Sequence, residues 1–182
     1  MDNIFFDKVT EPTPSWFLPR WIYNYKLGKY YKELMRTSPS YDMMREMAAF
    51  IKSYGAQPKE DLIELWRRIV FNMAVTNTDD HLRNHAFILT ETGWSLSPLY
   101  DVNPVPYGDE LSLNVNAEDN SISVELAVET AVRFGISETD AKMYAKEILG
   151  IVRENWEKQA VRCGLTRRLI EEMRPAFRAC YV

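Results

Sequence analysis

Residues 76–89, TNTDDHLRNHAFIL, put two acids, two histidines, an arginine and two asparagines into a short polar run that passes directly into apolar residues. What flanks this run decides the fold. Upstream, Pro58 opens a helix whose early acids Glu60, Asp61 and Glu64 and later Arg67 and Arg68 suit the helix dipole. Leu62, Trp66, Ile69, Val70 and Met73 line one face of it. Downstream, residues 85–89 and 94–97 flank Thr90-Glu91-Thr92-Gly93 and predict a β-hairpin, with a third strand at 111–115. The polar run therefore joins the end of a helix to the first strand of a hairpin.

The rest of the chain is helical in pattern. Pro12, Pro14 and Pro19 among aromatics mark an irregular arm, and Trp21, Tyr23, Tyr25, Tyr30 and Tyr31 a first helix. Residues 1–36 are thus an aromatic and proline-rich arm with a helix, and 37–182 the main domain. After Thr37-Ser38-Pro39, Tyr41, Met44, Met47, Ala48 and Ile51 recur at helical spacing up to Gly55. Ser121 or Ser123 caps a helix running to Phe134, Ser137 with Asp140 starts a long helix to about Ala160, and Thr166 starts a last one. The fold class is α+β, mostly α-helical, with a small central hairpin or sheet.

With 22 basic and 26 acidic residues the net charge is −4, which leaves no basic field for direct nucleic-acid binding. No apolar run approaches the roughly 20 residues of a membrane span, and the first residues lack the basic start and apolar core of a signal peptide. Cys163 and Cys180 show no metal-type spacing, so the expected compartment is a reducing cytoplasm.

An antiparallel hairpin returns the chain to its starting point, so Asn84, just before it, and Asp101, just after it, are expected to be neighbours. Asp79 lies five residues before Asn84. Two oxygen ligands suffice for Mg²⁺, which completes its shell with water and phosphate oxygens. A carboxylate beside such an ion can accept the proton of an attacking hydroxyl. These are the parts of a phosphoryl-transfer site.

Asp-x-His-x-x-Asn, here Asp79, His81 and Asn84, followed by a hairpin and an Asp, resembles the catalytic and metal-binding loops of atypical protein and lipid kinases. The strings NTDDHLRNHAFIL, GWSLSPLYDVNP, EDLIELWRRIVFN, LSLNV and AVRFGIS resemble one family more closely: the C-terminal lobe of HipA-type serine/threonine kinases, toxin components of bacterial toxin–antitoxin pairs. The resemblance runs from about residue 40 to about residue 170. It implies a protein-kinase-like C-terminal lobe, with Asp79 as catalytic base, His81 shaping the catalytic loop, and Asn84 and Asp101 binding Mg²⁺ and, through it, ATP. It also implies a protein substrate, with aminoacyl-tRNA synthetases as precedent, and a DNA-binding antitoxin as partner.

HipA-type kinases carry an N-terminal lobe with a phosphate-covering loop and a strand-borne lysine. The seven glycines, at 28, 55, 93, 108, 135, 150 and 164, form no phosphate cradle, and no such lysine can be picked out. A separate N-lobe acting in trans is therefore an expected partner. The competing class is a non-catalytic, pseudokinase-like interaction module or a truncated remnant. Trp16, Trp21 and Tyr25 are candidates for the surface on which the other lobe docks.

Other residues of the run read as structural. Asp80 is expected to diverge from Asp79 and act as a loop or cap residue, and His85 to pack or to support the site from behind. His81 and His85 are four apart, but Leu82 follows the first, where a zinc protease has Glu. Arg83 is a phosphate contact or a solvated arginine. Tyr100 and Pro104 are expected to aim Asp101, and Asn103 to assist the ion. No Gly-x-Ser-x-Gly elbow is present.

Overall fold

A computed structural model describes residues 43–116 and 119–181. The expected arm and helix within 1–36, the boundary at 36/37, and Trp16, Trp21 and Tyr25 lie outside the described residues.

Helix α1, Met43–Tyr54, buries Met44, Met47, Ala48, Phe50 and Ile51, the face that its periodicity marks. Helix α2, Pro58–Ala74, starts on its proline and carries Glu60 and Asp61 in its first turn. Leu62, Leu65, Trp66, Ile69, Val70 and Met73 form the buried face, and Trp66 Nε1 donates to the Ala127 carbonyl at 2.8 Å, satisfying an indole inside the core.

Strands β1, Phe87–Leu89, and β2, Trp94–Leu96, pair antiparallel, Phe87 opposite Leu96 and Leu89 opposite Trp94. Both are shorter than the expected 85–89 and 94–97: a helical turn, Leu82–Asn84, occupies the approach to β1, and beyond Leu96 the pairing continues only as the Ser97 N–H bond to Ala86 O at 2.8 Å. The intervening turn closes where Thr90 N–H and Oγ1 both donate to the Gly93 carbonyl at 2.8 Å. Gly93 has φ +146°, and a Cβ there would lie 2.9 Å from the Tyr54 carbonyl oxygen, so no other residue fits this turn without displacement. The hairpin lies against α1 through Phe50, whose ring is 4.7 Å from that of Phe87 and 6.1 Å from that of Trp94.

The expected third strand at 111–115 does not form. Leu111, Leu113 and Val115 are buried in alternation, as in a strand. Their backbone, however, bonds locally: Leu111 N–H donates to Asn120 O and Val115 N–H to Asp119 O, both at 2.8 Å. Asn116 Oδ1 accepts from Asp119 N–H. The Asx turn folds the segment back on itself before it can pair with the hairpin.

Helix α3, Val124–Thr130, is capped by Ser123 and tightens into the turn Ala131–Phe134. Helix α4, Glu138–Arg162, begins at Ser137, whose hydroxyl accepts from Asp140 N–H and donates to its carboxylate at 2.7 Å. Helix α5, Arg167–Met173, is capped by Thr166 and leads into the turns Arg174–Tyr181. These close a second apolar cluster against the end of α2, with Trp156 stacked on Phe177 at 4.2 Å. In it, burial pushes the Cys180 thiol up to about 11, which removes it as a nucleophile. Among the described residues no helix is long and apolar enough to cross a membrane.

Asp61 on α2 accepts a hydrogen bond from Leu96 N–H at 3.3 Å, tying the hairpin to the helix. Burial pushes its carboxyl above the ordinary aspartate range, against smaller opposing pulls from Leu96 N–H and Arg68. A raised folded-state pKa gives stability that is present at low pH and lost as pH rises through the folded value. Asp61→Asn should therefore gain stability relative to wild type between about pH 4 and pH 7. Urea midpoints at the two pH values check this; a difference that does not change with pH would refute it.

Candidate active site

The polar run begins at the C-terminus of α2, which ends in a Schellman arrangement: Asn77 N–H donates to Asn72 O at 2.8 Å and Thr76 N–H to Met73 O at 3.2 Å. The left-handed position, usually glycine, is held by Thr76 at φ +49°. A β-branched residue there is strained, and buried surroundings must hold it. Thr76 is fully buried, and its carbonyl accepts from Thr78 N–H at 3.0 Å and Val105 N–H at 3.2 Å. The chain is thereby turned out of the helix and pinned to the segment that follows Asp101.

Asp79 and Asp80 then point to opposite environments. Asp79 is exposed, and its carboxylate takes no hydrogen bond among the described residues. Asp80 is 3% exposed. Its carboxylate accepts from Asn72 Nδ2 at 2.7 Å and from His85 Nε2 at 3.0 and 3.1 Å. The expected cap or loop role for Asp80 is corrected: an ionised carboxylate removed from water needs such donors, and α2 supplies one through Asn72. His85 serves this buried group, behind the site.

Asn84, at the end of the helical turn Leu82–Asn84, is also buried, and its N–H donates to His81 O at 2.8 Å. The His81 ring has no partner at Nδ1 among the described residues, and His81 acts on the loop through its carbonyl. Asn84 Nδ2 spans two backbone carbonyls, Asp79 O and Asp101 O, each at 3.4 Å. Its nitrogen facing the backbone, the amide has an oxygen that takes no hydrogen bond among the described residues, the atom a hard cation would take.

Asp101 sits at φ +58°, a conformation Asp tolerates better than most residues, and is exposed. Tyr100 donates its hydroxyl to Arg83 O at 2.6 Å, fastening the exit of the hairpin to its entrance. Asn103 Nδ2 donates to Asp101 Oδ1 at 3.1 Å, so Asn103 orients this carboxylate. Arg68, buried, donates to Ser97 O at 2.6 Å and to Glu64 at 2.9 Å, anchoring the return of β2 to α2. Gly108 packs directly on the Thr78 side chain, where a Cβ would collide, and Ser112 donates to Thr78 O.

The backbone carbonyls of Asp79 and Asp101 thus meet at the Asn84 side-chain amide, and the His81 carbonyl accepts from the Asn84 backbone N–H. An amide oxygen and a carboxylate are a donor set that fits Mg²⁺. Sequence reasoning missed Asn72 and Asn77. The available signal was an asparagine within the apolar pattern of α2, three residues after Ile69 and beside Met73.

Residues 25–156 match the family described as the HipA-like C-terminal domain. This chain belongs to that family. It is also 28% identical over 101 residues to a protein of Sinorhizobium fredii that carries the name "Putative kinase Y4mE", an alignment covering 53% of this chain and 21% of that protein. The chain thus spans about a fifth of the length of the curated relative it matches.

Asp80→Ala would leave the Asn72 and His85 donors unpaired inside the HipA-like domain. It is expected to lose about 3 kcal/mol of stability, measured by urea denaturation; a loss under about 1 kcal/mol would mean that water satisfies both donors.

Proposed function

We propose that this chain is the phosphoryl-transfer lobe of a HipA-like serine/threonine protein kinase. One arrangement supports it: the Asn84 amide gathers the loops of Asp79 and Asp101 around its own nitrogen and keeps its oxygen for a cation. Asn84 Oδ1 and the Asp101 carboxylate would hold Mg²⁺, which when bound neutralises the phosphates of ATP. Asp101 is exposed and held at one oxygen by Asn103, which leaves its second oxygen for the ion.

Asp79 would take the proton of the attacking serine or threonine hydroxyl. Its carboxylate is exposed and takes no hydrogen bond among the described residues, while its backbone carbonyl is tied to Asn84, so the base is placed by the same amide that serves the ion. His81 holds the turn between them through its carbonyl. The adenine side of the nucleotide and the outer face of its phosphates need a second lobe, which we assign to a separate polypeptide or to sequence outside these residues. The protein substrate and an antitoxin partner, in a cytoplasmic setting, belong to the same proposal.

Calorimetry of ATP with and without Mg²⁺ tests the ion site. Asp101→Ala should weaken Mg²⁺-dependent binding by about tenfold or more, equivalent to ~1.4 kcal/mol, and Asp79→Ala should leave it nearly unchanged. Equal losses in both would overturn the division of roles. With the second lobe supplied, Asp79→Ala should reduce transfer to a protein hydroxyl by about a hundredfold or more, and wild-type transfer by that variant would discard Asp79 as the base.

A further inference from the structure

A line of hydrogen bonds, carried by side chains and the Asn103 backbone N–H, runs beneath the site. His85 Nε2–H donates to the Asp80 carboxylate, and Asn72 Nδ2 donates to Asp80 Oδ2 at 2.7 Å. Asn77 Nδ2 donates to Asn72 Oδ1 at 3.1 Å, Asn103 N–H donates to Asn77 Oδ1 at 3.3 Å, and Asn103 Nδ2 donates to Asp101 Oδ1 at 3.1 Å. Asn72, Asn77 and Asp80 are between 0% and 3% exposed, so no solvent competes for these groups.

The direction of the bonds from Asp80 to Asn77 follows from one end. An ionised Asp80 can only accept, so Asn72 must present its nitrogen to it and its oxygen to Asn77. Asn77 must then donate, which turns its own oxygen toward the Asn103 N–H. A buried charge next in sequence to Asp79 thus decides which face of a buried amide meets the loop of Asp101.

We infer that Asp80, Asn72 and Asn77 are positioning residues that fix the Asp101 loop relative to Asp79. This inference rests on the kinase reading for its functional meaning, since neither Asn72 nor Asn77 touches substrate or ion. The line is a device for spacing the proton acceptor and the ion ligand, built into the end of α2. Its polarity makes a specific demand: exchanging acid and amide between positions 72 and 80 keeps the bond between them, the bond from Asn77 and one of the two His85 contacts, whereas Asn72→Asp alone loses the 72–80 bond. In Asn72→Asp, two carboxylates face each other across the 2.7 Å contact. In the double variant Asn72→Asp/Asp80→Asn, the amide at 80 donates to the acid at 72 and still offers its oxygen to His85, and the acid still accepts from Asn77.

The test is amide hydrogen exchange of Val102 and Asn103, read by NMR on the full chain, in wild type, Asn72→Asp and the double variant. Asn72→Asp should speed exchange at Asn103 by about tenfold or more relative to unaffected α4 amides, and the double variant should restore protection. Failure of Asn72→Asp to fold, with the double variant folded and protected at Asn103, supports the same coupling. Unchanged exchange in a folded Asn72→Asp, or a double variant left unprotected, overturns it.

Affinity for Mg²⁺-ADP is the second readout. If wild type binds, Asn72→Asp should bind about tenfold more weakly or worse and the double variant should recover. Altered exchange with unaltered affinity would overturn the positioning role. With the second lobe supplied, wild type that binds no Mg²⁺-ADP would instead defeat the kinase reading, while the exchange data still decide whether the hydrogen-bond line holds the loop.

Discussion

The carboxylate of Asp80 lies inside the protein, and much of the site is arranged by what that placement requires. A charge taken from water must be met by donors at close range. Asn72 reaches it from α2 and His85 from the approach to β1, at 2.7 and 3.0 Å. Meeting that requirement ties three pieces of chain to one point: the end of the helix, the polar loop and the start of the hairpin. The functional groups of the proposed kinase site, Asp79, Asn84 and Asp101, are placed on the outer side of this knot.

Around it the backbone is held in conformations that relaxed chains avoid. Thr76 and Asp101 both have positive φ, at +49° and +58°, and each stands beside a loop carrying a proposed functional carboxylate. Such residues persist only where their neighbours over-determine them. Thr76 is fixed by burial and by two backbone bonds to its carbonyl, and the loop of Asp101 by Tyr100, Asn103 and the backbone bond of Val105. The apolar clusters on either side of α2 supply the rigidity, one with α1, the hairpin and α3, the other with α4 and the C-terminal turns. A polar site on loops keeps its geometry because packed helices carry its ends.

Periodic burial made most of the fold legible. The methionine-rich face of α1, the apolar face of α2, the hairpin and the caps Ser123, Ser137 and Thr166 stand where pattern and cap chemistry put them. The strand expected at 111–115 shows the boundary of that method. Its alternation is real, yet alternation reports burial on one side and says nothing of backbone partners, which an Asx turn at Asn116 supplies locally. The nearness of Asn84 to Asp101 was legible because a hairpin must return to its origin. The burial of Asp80 was not, since adjacent acids in a polar loop look alike until the helix beneath them is in place.

The sequence by itself determined the helical character, the hairpin and the chemical inventory of the site, because periodicity, turn residues and residue types are local properties. Only the tertiary structure decided which acid faces solvent and which is buried, which face of each asparagine amide is used, and that Asn72 and Asn77 connect two distant loops. Those choices depend on pairing donors with acceptors across the fold, and a hydrogen bond between residues far apart in the chain leaves no spacing in the sequence to be read.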